Sequence, residues 1–225
     1  MNNDKIILIR EAIAQARAEE SQTHQLARFL SAATHSLHGA IALPEKDADK
    51  VLLEFIVRYI EYVPDLLQTL DDLLLNCGLR EHGRVFITIA EDFFLQPPDL
   101  VHQCGGLQGL IDEAYLAHRL VEEINDRLIM RCGVPLTPLD MTLANIIVHD
   151  LLGETYANQL DLAVHYAMEA LFEQGALENS NLAQFVARYQ ACDWEAKLRG
   201  WPRLTEDSRI GLRFTKTSIP KATAH

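Results

Sequence analysis

The chain has 225 residues, 48% of them hydrophobic, and a formal net charge of -12 at pH 7. That length fits one large domain or two small ones, and the apolar share supplies a continuous core. The acidic balance excludes a non-specific hold on nucleic-acid phosphates and disfavours an electrostatic grip on anionic lipid.

Eleven Gly and eight Pro are few for this length, and Leu/Ala/Glu-rich stretches dominate, so the elements read as helices. Asp4 is placed to cap a first helix that reaches His38 and stops at Gly39, with a break near Ser21. Residues 39–49 form a loop. Residues 51–63 are strongly apolar, Pro64 ends or kinks that helix, and residues 65–77 continue it to Gly78. Residues 85–95 read as a short buried helix stopped by Pro97-Pro98. Residues 107–130 carry the longest amphipathic pattern, with Leu110, Ala114, Ala117, Val121, Ile124 and Leu128 at three- and four-residue steps. Thr137-Pro138 reads as an N-cap and first-turn proline opening a helix to Leu152. Helices over 156–174 and from Asn181 to about Leu198 complete the set. No segment reads convincingly as a strand; residues 85–89 have the composition of one but helical surroundings.

From residue 199 to 225, six Lys or Arg face two acids, so the end of an acidic chain is basic. The expected architecture is all-α: a single bundle of seven to nine helices over residues 1–200, then an extended or disordered tail over 201–225. Cys77, Cys104, Cys132 and Cys192 stand singly with no Cys-x-x-Cys, which reads as reduced thiols in the cytosol. The first residues do not have the form of a cleavable leader, and no 18-residue apolar run predicts a membrane span.

The stretch Pro97-Pro98-Asp99-Leu100-Val101, followed by Gly109-Leu110-Ile111-Asp112-Glu113, resembles the YkvA family, a small bacterial domain of uncharacterised function. The family signature is Pro-x-Asp-Leu-Ile-Pro, a short loop, then Gly-x-x-Asp-Asp opening a helix. His102 stands where the second proline is expected, and Glu113 replaces the second Asp. The likeness covers residues 78–125. It implies a helical module working near membranes or partner proteins, and no catalytic residues. Read from the residues alone, Asp99, Asp112 and Glu113 lie where acids hold turns and first helical turns together. The alternative is that these three acids converge on a divalent cation or on a partner's basic group.

Other constellations carry less. A carboxylate-bridged dimetal bundle needs Glu-x-x-His, which does not occur. Glu113 and His118 lie ~140° apart around a helix and cannot share one ion. His118 with Glu122, and Asp161 with His165 and Glu169, have the spacing of solvated surface neighbours. His35 and His38 lack a third zinc ligand and suit a helix C-terminus. His102 near Cys104 lacks the pattern of a base beside a nucleophile. His149-Asp150 is reminiscent of metal phosphohydrolases but lacks their upstream histidines. Both glycine-rich nucleotide loops are absent. Phe93, Phe94, Tyr115, Tyr156, Tyr166 and Phe172 read as core aromatics, or as the wall of an apolar ligand cavity.

The expected function is therefore a non-enzymatic cytosolic bacterial interaction or regulatory module that binds protein through Asp99, His102, Asp112 and Glu113, without a cofactor. Homo-oligomer formation is left open. The alternatives are a metal-dependent enzyme or divalent-metal binder using Asp99, Asp112 and Glu113, and a carrier of an apolar ligand.

Overall fold

The computed structural model describes residues 4–101, 104–137, 139–173, 179–194, 196, 204 and 209–213. Among them are eight helices and one two-stranded ribbon. In chain order these are α1 (Asp4–Thr23), α2 (Gln25–Ala33), β1 (Ile41–Ala42), α3 (Ala48–Asn76), α4 (Arg80–Leu95), α5 (Gly106–Cys132), α6 (Thr142–Leu152), α7 (Glu154–Glu173), α8 (Asn179–Ala191) and β2 (Gly211–Leu212). The all-α expectation holds.

α5 is the central helix, packed against α1, α2, α3, α4, α6 and α7. Its sequence looks one-sided, yet Ala114, Tyr115, Leu116, Ala117 and His118 are consecutive and all buried. A helix surrounded by others has no solvent face in its middle, so its small and aromatic residues are enclosed together. His118 is wholly buried here. Its Nε2–H donates to the Tyr59 carbonyl at 3.0 Å, and burial lowers its pKa to about 4. It is thus a neutral core group and not a surface neighbour of Glu122.

The first break falls at His24, three residues beyond Ser21, where the backbone is left-handed. The Glu20 carboxylate reaches across it and accepts the amides of Leu26 at 2.8 Å and Ala27 at 3.0 Å. It satisfies donors that α2 leaves unpaired at its start, and places an anion at the positive end of the helix dipole. α2 ends at Ala33, so His35 and His38 lie beyond it in a turn and not in its last helical turn. α3 runs through Pro64 without ending. It closes at Gly78, with φ +68°: Leu79 N–H bonds to Leu74 C=O at 2.7 Å and Gly78 N–H to Leu75 C=O at 3.1 Å. This pair of hydrogen bonds ends a helix by a glycine turn, and the following Leu79 is fully buried.

Two expectations fail. Cys77 and Cys192 are joined as a disulfide, leaving Cys104 and Cys132 free, so the thiols are not all reduced. The partners are 115 residues apart, a separation that carries no local spacing signal. The tail also reaches the core. β2 pairs antiparallel with β1, Ile41 opposite Leu212, and Leu204 and Ile210 are buried. Only two residues in each strand pair, which is too short for an alternating pattern to show. Residues 197–203, 205–208 and 214–225 lie outside the described residues. Among the described residues, no helix is long and apolar enough to cross a membrane.

Candidate functional site

Two sets of residues compete: the hinge between α4 and α5, and a cleft on another side of α5. At the hinge, Asp99 is exposed in a turn closed by Val101 N–H bonding to Pro98 C=O at 3.0 Å. Asp112 is buried in α5 and accepts the Tyr156 hydroxyl at 2.6 Å. Glu113 is half-buried, and its buried Oε2 has no hydrogen-bond partner among the described residues. Burial is the main cause that pushes its carboxyl up to about 7; its own backbone bond opposes this and the Asp112 charge adds to it. His102 lies outside the described residues. Asp112 and Glu113 are therefore not first-turn caps: α5 begins at Gly106, behind Gly105, without a side-chain cap. Among the described residues, no group of three or more His, Cys, Asp or Glu stands together as a metal would require.

At Gly109 the hinge and α5 meet closely. A Cβ added at Gly109 would lie 1.9 Å from the Cys104 carbonyl oxygen. Only glycine lets the loop backbone cross α5 at that distance.

The cleft has a volume of about 400 Å³ and opens between α5, α6, α7 and the β1–β2 ribbon. Its polar wall comes from two helical faces. Tyr115, Arg119 and Glu122 follow four- and three-residue steps along α5. Thr142, Asn145, Ile146, His149 and Asp150 occupy successive positions of one face of α6. α7 adds Asp161. His38 and Ala40 enter from the turn after α2, and Ile41 and Leu212 from the ribbon.

These side chains hold one another. Asp161 Oδ1 accepts Arg119 Nε at 2.9 Å and the Tyr115 hydroxyl at 3.0 Å. Glu122 pairs with Arg119 Nη1 and accepts the Thr142 hydroxyl at 3.0 Å and the Asn145 amide at 2.6 Å. Behind them, the buried Tyr59 hydroxyl donates to Asn145 Oδ1 at 2.8 Å. Burial disfavours the Arg119 charge, but Asp161 and Glu122 outweigh it and hold the guanidinium above its ordinary pKa. Burial, followed by the Asp161 charge, raises the Tyr115 hydroxyl. At the rim, His149 Nε2 lies 3.3 Å from Asn158 Oδ1 and 3.7 Å from Asp161 Oδ2. Asp150 Oδ2 accepts the His38 backbone N–H at 2.7 Å.

Sequence reasoning met His149-Asp150 and Asp161 but assigned them no shared site. Asp161, His165 and Glu169 are not mere surface neighbours either. Asp161 pairs with Arg119, and Arg127 of α5 bonds to Glu169 at 2.6 Å and to His165 at 3.1 Å. The available signal was the polar stripe on α6, at the spacing normally occupied by apolar residues. Compared with known proteins, the chain matches no family model, no curated protein and no solved structure.

Proposed function

We propose that this protein is a non-enzymatic binding or regulatory module whose recognition site is the cleft, with a small polar molecule as its ligand. The observation that carries this is the locked network of Arg119, Glu122, Asp161, Tyr115 and Asn145 on three helices. Polar groups fixed by one another before a ligand arrives reduce the ordering cost of binding. The volume is that of a small-molecule site, and Ile41, Ile146 and Leu212 add apolar wall beside the polar one. Relative to the sequence-based expectation, the binding role is retained and the recognition surface moves from the hinge to the cleft.

Native mass spectrometry of gently purified protein, with a thermal-shift screen of small metabolites, tests the proposal. A copurified mass or a ligand that raises Tm, with either effect removed by Ile146→Trp across the cleft mouth, is the expected result. No bound mass and no shift over the screen would overturn it.

The Cys77–Cys192 bond favours an oxidising compartment over the cytosol expected from the sequence. Thiol trapping at lysis decides between them: four alkylated cysteines mean the cytosol, and only Cys104 and Cys132 mean an oxidising location.

A further inference from the structure

We infer that the cleft selects a compact organic cation, an ammonium or guanidinium on a short apolar body; this rests on the cleft being the recognition site. Among the described residues the lining contains Glu122, Asp150 and Asp161 but one permanent cation, Arg119. Arg119 is already paired with Glu122 and Asp161, so its charge is offset within the wall and attracts an anion less than a free guanidinium would. Counting the carboxylates against the one guanidinium, two negative charges are in excess in a concave site.

The two carboxylates nearer the rim keep acceptor capacity. Asp150 receives one backbone N–H, from His38, through Oδ2. Asp161 spends Oδ1 on Arg119 and Tyr115, while among the described residues Oδ2 faces the imidazole of His149, at 3.7 Å. A carboxylate has about four lone-pair positions, so each can accept N–H donors from a ligand. Beside them, Ile41, Ile146, Leu212 and the Tyr115 ring offer the surface that a short hydrocarbon body needs. A chain with a net charge of -12 raises the local concentration of cations around such a cleft. An organic cation fits better than a metal ion, because no three metal-ligating side chains stand together among the described residues.

The test is calorimetric titration of the full chain with 1,4-diaminobutane, agmatine and 2-phenylethylamine, and with phenylacetate and phenylethanol as anionic and neutral counterparts. The expected result is binding of one or more of the amines, weakened at high salt, with little or no binding of the counterparts. Asp150→Asn, at the rim and outside the Arg119 network, should weaken the amine by about tenfold, the scale of one charge-assisted contact. Ile146→Trp should abolish it. Circular dichroism confirms that each variant is folded, and Asp161→Asn serves in place of Asp150→Asn if that variant is not. Three outcomes would overturn the inference. One is preferential binding of phenylacetate or phenylethanol, which would leave the cleft as a binding site and change only the ligand class. Another is amine binding untouched by the substitutions. The third is no amine binding at millimolar concentration, and a metabolite found by the thermal-shift screen would then still stand for the cleft.

Discussion

Glu113 is the residue whose chemistry departs furthest from its type at the hinge. Its folded pKa of about 7 lies above the ordinary value of 4.5, with burial as the main cause. A carboxyl raised in the folded state binds its proton more tightly there than in the unfolded chain. Its contribution is fully present below pH 4.5 and is lost as pH rises towards and through 7. Glu113→Gln should therefore change stability little at acid pH and stabilise at pH 8 by about 1–3 kcal/mol. Chemical denaturation at both pH values measures this, and an equal effect at both would refute it. Gly109 makes the second residue-scale prediction. Gly109→Val drives a side chain into the Cys104 carbonyl, so α5 and the loop must separate. A loss of about 2–4 kcal/mol is expected, the range of severe backbone overpacking, read from denaturant midpoints. This close approach was legible because a glycine so near a helix start calls for a reason. The state of Asp112 was not: its partner Tyr156 is 44 positions away, and nothing local reveals that contact.

At the scale of elements, periodicity identified the long helices and placed their stops near the glycines and prolines that end them. What it missed were ends set by distant groups. α2 stops at Ala33 and α6 starts at Thr142, five positions after the Thr137 signal. Thr137 is itself buried, with no partner for its hydroxyl among the described residues, while Asn125 Oδ1 accepts its backbone N–H at 3.1 Å. That segment is thus held to α5, and the Thr-Pro cap signal is overridden by tertiary packing. The joint between α1 and α2 has its own device in Glu20, which accepts two backbone amides. Glu20→Ala should cost about 1–2 kcal/mol, the scale of a lost N-cap, and should raise amide exchange at Leu26 and Ala27 first. Uniform exchange across α1 and α2 would show that the joint does not depend on this carboxylate.

For the whole molecule, the unpredicted long-range ties concern α8 and the ribbon. α8 is anchored by the fully buried Phe185, by Arg188 bonding to the Gly78 carbonyl, and by the disulfide just beyond its end. The covalent link closes a loop of 115 residues, so it restricts the unfolded chain strongly. Reduction, or Cys192→Ser, should lower stability by about 2–5 kcal/mol in denaturant unfolding. An unchanged midpoint after verified reduction would place the stabilising contacts elsewhere. The bundle itself was readable because its helices bury local, repeating patterns. The cleft was not, because its walls come from positions as far apart as His38 and Leu212, and no window of sequence contains them together.

That spread gives the cleft an order of assembly. The turn after α2, the α5 face, the α6 stripe and Asp161 are all synthesised before the strand that carries Leu212 pairs with Ile41. A nascent chain can thus build most of the bundle while the cleft still lacks a wall. On the proposed reading of the cleft as a binding site, a chain cut upstream of Gly211 would be helical yet lack the Leu212 wall and bind less well.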